Sequence, residues 1–276
     1  MSLKNRLGKL FSAGTGVNLC AAHLAARKPE LLRTYISFCL RKYDDLMENG
    51  LPTKTPLREL EPGDWETLTI PAQFQTGGGT TAREMLILAA VTKALRPRRI
   101  FEIGTYNGRT TAVLIMNAPR DCEVLTLDLP PIVNSAEGYI SSDLELIGNR
   151  ETERYLKRAR LRHRYQQIYT DSMQLEPDPY RDSVELGFID GAHALEYVKN
   201  DTEKMAVMMG DRGFVFWHDY GGRGEFRPLS RYLESLPIQL YRIRDTSLAW
   251  TYAHEIKKLV RSSEHVFRGE TVRAAS

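Results

Sequence analysis

Acidic side chains recur in this sequence where short apolar runs end. Glu102 lies inside the first such run, and Asp128, Asp171, Asp190 and Asp219 follow the ends of later ones. Carboxylates are seldom buried without partners, so packing alone does not explain this placement. If the runs are parallel strands, their carboxyl ends share one edge of a sheet, and open sheets bind ligands at that edge. The pattern therefore predicts a ligand site rimmed by carboxylates.

A glycine turn follows the first apolar run. Residues 100–111 read as a buried strand that breaks at Gly104 and passes through Gly108 straight into a helix. Two glycines at a strand's carboxyl end let the backbone approach a ligand where a side chain would clash. Because the nearby carboxylate of Glu102 repels phosphate, the turn favours a positively charged or hydroxyl-bearing ligand over a pyrophosphate.

Asp128 has a more specific expected role. It closes the second apolar run, and an acidic residue at that point of a nucleotide-type fold accepts hydrogen bonds from ribose hydroxyls. The alternative is that Asp128 caps the next turn, but Leu129 and two prolines follow instead of a helix start. The sequence therefore predicts ribose recognition by Asp128.

These residues need a scaffold in which strands and helices alternate. Apolar runs predict parallel strands at residues 99–103, 123–128, 166–169, 184–189 and 213–217. Helices are expected over residues 110–117 and 194–209, and a long crossover, 129–160, runs into a basic helical segment, 150–164. Residues 238–244 and 248–252 predict an antiparallel hairpin. The expected fold class is α/β: a Rossmann-like, doubly wound, mostly parallel seven-stranded sheet with a C-terminal antiparallel hairpin.

Three segments are expected along the chain. Residues 1–70 read as an extra helical N-terminal segment and a linker, residues 71–255 as the α/β domain, and residues 256–276 as a polar basic tail. Thr81 and Glu84 form a capping-box pattern at the start of the helix that precedes the first strand. The N-terminal helices offer a surface through which a homo-oligomer would form.

The overall composition narrows the class of partner. The chain has 276 residues, a formal net charge of +3 and a pI near 8.7, which is too mild for nucleic-acid binding. No apolar run reaches the roughly 20 residues of a membrane span, so no integral membrane segment is expected. The three cysteines have no paired spacing, which favours a reducing, cytoplasmic location. We therefore expect a small-molecule partner.

Three motifs resemble those of the class I S-adenosylmethionine (SAM)-dependent methyltransferases. Residues 102–108, Glu-Ile-Gly-Thr-Tyr-Asn-Gly, are similar to the first motif of that family, which lacks the third glycine of the dinucleotide fingerprint. The resemblance narrows to the O-methyltransferase branch that includes catechol-type, macrolide-sugar and cephalosporin-pathway enzymes. The motifs for this branch are Ile-Asp-Gly-Ala-His at 189–193 with Tyr-Val-Lys-Asn-Asp at 197–201, and Phe-Trp-His-Asp-Tyr at 216–220.

The resemblance implies a SAM site, with a role for each matched position. Backbone near Gly77 would cover the cofactor's carboxylate, and Glu102 would face its amino-acid end. The glycine turn would lie against the methionine part and the ribose, Asp128 would take the ribose hydroxyls, and two residues would flank the adenine. The implied cofactor-binding residues are Gly77, Glu102, Gly104, Thr105, Gly108, Asp128, Asp171 and Ser172.

The resemblance also implies where the chemistry occurs. In metal-dependent members an acid at the position of Asp190 joins an acidic pair after the fifth strand to hold magnesium, which acidifies the acceptor hydroxyl. This chain has His218 and Asp219 at that pair, and imidazole suits transition metals better than magnesium. The predicted ligands of a divalent metal, magnesium or a transition ion, are therefore Asp190, His218 and Asp219. His193 is the predicted general base, because an imidazole of pKa about 6.5 accepts a hydroxyl proton near neutrality.

The implied activity is transfer of a methyl group from SAM to a hydroxyl of a small molecule, a sugar or a secondary metabolite, with His193 and Asp190 as catalytic residues. An NAD-type oxidoreductase is one alternative, although the missing third glycine and the acid at Glu102 count against it. The other is a non-catalytic member of the fold that acts as a binding module. The histidine at 218 and the unmatched N-terminus favour that second alternative.

Overall fold

The computed structural model describes residues 50–60, 67–71, 79–130, 138–149, 151, 153–222 and 224–260. The predicted N-terminal helices, Gly77 and residues 261–276 of the predicted tail lie outside this part of the chain. The proposed limits of the three segments therefore stay predictions.

A seven-stranded sheet forms the centre of the domain, in the order β3-β2-β1-β4-β5-β7-β6. The first five strands are parallel, whereas β7 is antiparallel to both β5 and β6. The Rossmann-like fold class is confirmed. The strands are β1 (Arg99–Ile103), β2 (Glu123–Asp128), β3 (Gln166–Tyr169), β4 (Val184–Ile189), β5 (Met209–Trp217), β6 (Tyr241–Arg242) and β7 (Ala249–Tyr252).

Helices cover both faces of this sheet. One face packs against α1 and α2, and the other against α5 and α6. The central strands are buried on both faces, which is why they read as nearly continuous apolar runs. The helices are α1 (Ala82–Leu95), α2 (Arg109–Asn117), α3 (Ser141–Asn149), α4 (Arg154–Arg158), α5 (Leu195–Met208), α6 (Arg227–Ser235) and α7 (253–260).

The strand order reverses between β1 and β4, and this switch point requires Gly104. The amide of Asp190 donates to the carbonyl of Ile103 across 2.8 Å, so the two strand ends run close together. A Cβ on Gly104 would lie 1.9 Å from the Asp190 carbonyl oxygen, and its φ is +103°. Gly108, at the N-cap of α2, has φ +77° and would clash with Leu156. Both glycines thus make room for the protein's own chain.

The long crossover differs from its prediction. It contains α3, which the sequence did not predict, and the basic segment 150–164 is helical only over Arg154–Arg158. Left-handed backbone at Glu153 and Arg160 interrupts the helix on both sides. The expected polar tail also begins differently, because residues 253–260 are helical and Ile256 is fully buried. No helix in the described part of the chain is long and apolar enough to cross a membrane.

Strand β5 begins at Met209, before the predicted start at Gly213. Gly213 has φ +107°, and a Cβ there would lie 1.7 Å from the Glu185 carbonyl oxygen. The pairing of β4 with β5 shifts register between Val184 and Leu186. The glycine therefore lets the two strands remain paired through an irregularity.

The Gly213→Ala variant is expected to lower the free energy of unfolding by about 2–4 kcal/mol, since it adds left-handed strain and a backbone clash. Urea unfolding measures this change. Gly148→Ala is the control, because Gly148 lies in α3 without a positive φ, and a methyl group added there would meet no atom within 4 Å. That variant should be neutral or more stable by about 0.5–1 kcal/mol. Equal effects of the two variants would contradict the explanation.

Candidate functional site

A cavity opens at the carboxyl ends of the strands, beside the switch point. Seven of the predicted site residues line it: Gly104, Asp128, Ser172, Asp190, His193, His218 and Asp219. Further lining residues come from the crossover and from α5, including Tyr139, Asp143, Leu146, Ile147 and Tyr197. The structure therefore brings together most of the residues that the sequence singled out. Glu102, Thr105, Gly108 and Asp171 are not among the lining residues.

Asp128 is held in place at the cavity by the glycine turn. Its Oδ2 accepts a hydrogen bond of 2.7 Å from the amide of Tyr106, and its Oδ1 accepts one of 2.8 Å from the amide of Leu129. Each carboxylate oxygen has two lone pairs, so the group retains capacity for ligand hydroxyls. The left-handed backbone of Tyr106, with φ +48°, aims its amide at this carboxylate.

Glu102 lies behind the turn and does not line the cavity, and its role beside the cofactor stays a prediction. It is completely buried, and its Oε2 accepts hydrogen bonds from the hydroxyls of Thr111 and Thr126. Thr105 belongs to the same network, since its hydroxyl lies 2.7 Å from that of Thr126. Oε1 of Glu102 has no hydrogen-bond partner among the described residues. Burial raises the pKa of Glu102 to about 8, against the opposing effect of the two threonine hydroxyls.

This pKa makes stability depend on pH in a defined direction. Between the usual pKa near 4.5 and the folded value of about 8, the unfolded chain loses a proton that folded Glu102 keeps, so stability falls as pH rises. Glu102→Gln removes the titrating carboxyl group, so this contribution to the pH dependence of stability disappears. Its stability relative to the wild type should rise by about 3–4 kcal/mol from pH 5 to pH 8.

Urea unfolding of both proteins at the two pH values measures this difference. Glu123→Gln, at the exposed start of β2, is the control and should keep the wild-type slope. A Glu102→Gln protein whose stability tracks the wild type across this pH range would show that Glu102 is ionised in the folded state.

His193 stands two residues before α5 and is held from two sides. Its Nδ1 is hydrogen-bonded to Asp143 Oδ1, and its backbone amide donates to Asp143 Oδ2 across 3.0 Å. Its Nε2 lies 2.7 Å from Asp219 Oδ2. Burial alone would lower the pKa of His193, but the two carboxylates outweigh burial and raise it to about 10. With this pKa the imidazole carries protons on both ring nitrogens at neutral pH. The sequence instead predicts a neutral imidazole that can accept a proton.

His218 lies deeper, between carboxylates on both sides of its ring. Its Nδ1 is 2.9 Å from Asp219 and 3.2 Å from Asp190, and its Nε2 is 3.4 Å from Glu84. Burial opposes protonation of His218, but the charges of Asp190 and Asp219 raise its pKa well above the usual value. The interaction with His218 outweighs burial in lowering the pKa of Glu84. His218 therefore serves as the cation of a buried ionic cluster.

Two of the predicted metal ligands lie together with His193. One ligand atom each of Asp190, His193 and Asp219 lies within 4.8 Å of the other two. His218 stays a predicted ligand, and its ring nitrogens, like those of His193, lie beside protein carboxylates. Two carboxylates and one imidazole suit a divalent transition ion better than magnesium. The backbone of Asp219, with φ +61°, turns its carboxylate toward the two other residues.

Sequence reasoning missed two residues of this site. Glu84 matched a capping box, which the structure confirms, but it also accepts hydrogen bonds of 2.6 and 2.7 Å from Ser247 and lies beside His218. Asp143 lies in the crossover, away from any strand end. Its only sequence signal is an acidic residue in the first turn of an amphipathic stretch, which is common.

The crossover covers the cavity at three points. Tyr139 stacks on Tyr197 with ring centroids 5.1 Å apart, and the hydroxyls of the two residues are 3.1 Å apart. Tyr197 also donates a 3.0 Å hydrogen bond to Asp171. Asp143 contacts His193, and Ser142 donates hydrogen bonds of 3.3 and 3.2 Å to Glu225 from its amide and hydroxyl. Residues 138–149 thus form a cover over the site.

Comparisons with known proteins agree with this architecture. The model of a family described as a methyltransferase domain matches residues 101–220. No curated protein matches the chain. Solved structures with a similar fold include Rv0187 from MTB in a cofactor-bound form, with 17% identity, a TM-score of 0.46, and coverage of 64% of this chain and 82% of that one.

Two more structures show a similar likeness. A methyltransferase from Geobacter sulfurreducens has 13% identity and a TM-score of 0.44, over 63% of this chain and 79% of its own. TomG from Streptomyces achromogenes, an O-methyltransferase of tomaymycin synthesis solved with SAM, has 15% identity and a TM-score of 0.43, over 62% and 79%.

Proposed function

From the match of residues 101–220 to the model of a family of methyltransferase domains, we propose that this protein transfers a methyl group from SAM to a hydroxyl oxygen of a small molecule. The observation that carries the proposal is the cluster of Asp190, His193 and Asp219 on the wall of the cavity that Gly104 and Asp128 also line. One end of the cavity thus suits a ribose, and the other suits the removal of a proton from a hydroxyl.

The cavity fits a cationic nucleoside better than a dinucleotide. Among the described residues that line it, none is Lys or Arg, and the carboxylates of Asp128, Asp143, Asp190 and Asp219 outnumber the two imidazoles of His193 and His218. Such a lining favours the positive sulfur and ammonium of SAM and disfavours a pyrophosphate. It therefore counts against the NAD-type oxidoreductase. Asp171 and Ser172 remain the proposed neighbours of the adenine, with Ser172 on the cavity wall and Asp171 bound to Tyr197.

His193 is the proposed base, although the carboxylates of Asp143 and Asp219 raise its pKa to about 10. When bound, SAM supplies a methyl group on a positively charged sulfur, and an oxygen nucleophile displaces the sulfur in line. A positive charge near Asp190 and Asp219 weakens the hold of Asp219 on the His193 proton and so lowers the pKa of His193 toward neutrality. Nε2 of His193 would then release its own proton to solvent before the transfer. It would take up the acceptor's hydroxyl proton as the oxygen gains the methyl group, and the imidazole would end with protons on both nitrogens.

A divalent ion on Asp190, His193 and Asp219 is a second arrangement, which the geometry of their ligand atoms favours. His193 would then be a ligand, with its Nδ1 held by Asp143 as metal-bound histidines are commonly held. An ion at this position supplies acidification of the hydroxyl. Asp190 and Asp219 lie near the positive sulfur of SAM in the first arrangement and bind the metal ion in the second. The two arrangements therefore differ in the role of His193.

Cofactor binding tests the first part of the proposal. Calorimetry with S-adenosylhomocysteine should show binding to the wild type, and Asp128→Ala should weaken it by about 10–100-fold, because the ribose hydroxyls lose a charged acceptor. Asp178→Ala, an exposed carboxylate paired with Arg181, is the control and should bind as the wild type does. Binding of NAD without binding of S-adenosylhomocysteine would refute the assignment.

Turnover tests the second part. Methyl-labelled SAM is incubated with the wild type and a panel of hydroxyl compounds that includes catechols, phenols and free sugars. Label transferred to oxygen of any of them supports the enzyme assignment. Binding of S-adenosylhomocysteine with no transfer to any member, with or without Mn²⁺ or Mg²⁺, would favour the non-catalytic binding module.

A further inference from the structure

We infer that Asp143, which α3 carries over the site, is a positioning residue: it holds the ring of His193 so that Nε2 faces the cavity. This inference rests on the proposed function, which gives His193 its chemical role. Asp143 reaches the site from the crossover and not from a strand end. Neither the sequence motifs nor the family match assigns it a role.

Asp143 binds both the ring and the backbone of His193. One of its carboxylate oxygens is hydrogen-bonded to the Nδ1 of His193, and the other accepts the backbone amide of the same residue across 3.0 Å. The aspartate is only 4% exposed and His193 only 8%, so water does not replace these bonds easily. Both oxygens bind His193 and so fix its ring and its backbone together, and Oδ2 also accepts the amide of Ile140 across 3.4 Å.

Two other residues surround the ring, and one of them supports the orientation that Asp143 sets. Phe226 packs edge-on against the imidazole, with ring centroids 4.9 Å apart. Asp219 contacts Nε2 from the cavity side, where the ligand is expected. A ring flipped by a half turn about χ2 would put Cδ2 against Asp143 and Cε1 against Asp219, so both carboxylates would face carbon. The buried carboxylate of Asp143 makes that arrangement unfavourable.

The position of Asp143 on α3 links the ring to the cover. Tyr139 and Ser142, on the same segment, contact Tyr197 and Glu225. The orientation of the imidazole therefore depends on the position of residues 138–149 over the site.

The central test replaces Asp143 with Asn and Glu, and Glu225 with Gln as the matched control. Asn keeps the size but offers a single acceptor oxygen and an amide donor, which favours the tautomer with Nδ1 unprotonated. Glu keeps two acceptor oxygens on a longer arm. Glu225→Gln weakens the contact between Ser142 of α3 and residue 225 and leaves Asp143 in place. Thermal unfolding first establishes that each variant is folded.

The first readout needs no acceptor. In protein labelled with ¹⁵N-histidine, the proton on Nδ1 of His193 should resonate at low field, and the His193→Ala variant assigns it. Asp143→Asn should abolish this resonance, whereas Glu225→Gln should keep it and Asp143→Glu should restore it in part. A low-field proton unchanged in Asp143→Asn would overturn the inference, whatever the fate of the proposed function.

The second readout uses the panel compound that the wild type methylates fastest. Asp143→Asn should lower kcat by about 10²–10⁴-fold, as for a histidine held in the wrong tautomer. KM and the affinity for S-adenosylhomocysteine should stay within about threefold, because Asp143 binds neither ligand. If Glu225→Gln lowers kcat by the same factor, then the position of α3 alone explains the loss, and the positioning role of Asp143 is overturned. Failure of the wild type to bind S-adenosylhomocysteine would instead overturn the proposed function.

Discussion

Replacing His218 with alanine is expected to lower the free energy of unfolding by about 3–5 kcal/mol. The imidazole is the only cation in contact with Glu84 among the described residues, and it also lies within 3.2 Å of Asp190 and 2.9 Å of Asp219. Without it, a fully buried carboxylate at Glu84 faces two more across a cavity the size of the lost ring. The loss therefore combines uncompensated charge with lost packing.

Urea unfolding at pH 7 measures this loss, and His163→Ala, at an exposed position, is the control. A double variant with Glu84→Gln separates the two causes. If charge dominates, His218→Ala combined with Glu84→Gln should lose less stability than the two single variants added together, because one unpaired charge is gone. Additive losses would show that His218 contributes through packing alone.

The stability that His218 and His193 contribute also depends on pH in a defined direction. Both pKa values are raised, so the contribution is complete below the usual histidine value near 6.5 and is lost as pH rises through the folded values. For His193 this window extends from about 6.5 to about 10. The wild type should therefore lose stability above neutrality, and His218→Ala should lose less of it over the same range.

The strands were predictable because their signals are local. Residues 99–103, 123–128, 166–169 and 184–189 match the observed strands, since each is an apolar run that ends at a polar residue or a turn. Once these strands are parallel, the positions of Asp128, Asp190 and Asp219 at one edge follow from topology alone. The sequence therefore predicted the cavity wall that β1, β2, β4 and β5 supply.

The contacts of the cluster were less predictable because they join distant segments. Glu84 satisfies a capping box over three residues, and nothing local indicates that it also meets His218, 134 positions later. Asp143 reaches His193 only after the crossover folds back over the sheet edge. Sequence spacing assigned His193 an ordinary pKa, whereas the two carboxylates that raise it are 50 and 26 positions away.

Gly104 and Gly108 were predicted at the correct positions in the turn, but the predicted reason for them was incomplete. The turn at Gly104 was expected to let backbone approach a ligand, and Gly104 does line the cavity. Its missing side chain, however, first accommodates the carbonyl of Asp190, and that of Gly108 accommodates Leu156. Close packing of two strand ends and a close approach to a ligand select the same residue type, so the sequence alone does not separate them.

Replacing His193 with alanine should lower kcat for methyl transfer by about 10²–10⁴-fold, the range expected for loss of a general base. Affinity for S-adenosylhomocysteine should change little, since the ribose and adenine contacts proposed for Asp128 and Ser172 are intact. His254→Ala, at a largely exposed position beside Tyr252, is the control and should keep wild-type kcat. The assay uses methyl-labelled SAM and the panel compound that the wild type methylates fastest.

Metal removal decides which role His193 plays. If it is the base, treatment of the wild type with EDTA should leave kcat unchanged, and titration with Mn²⁺ should give the same weak binding for wild type and His193→Ala. If it is a ligand, EDTA should abolish turnover, and loss of one of the three donors of Asp190, His193 and Asp219 should weaken Mn²⁺ binding by at least about tenfold. Because Asp143 holds Nδ1 in both cases, a kcat unaffected by His193→Ala, with or without metal, would exclude both roles.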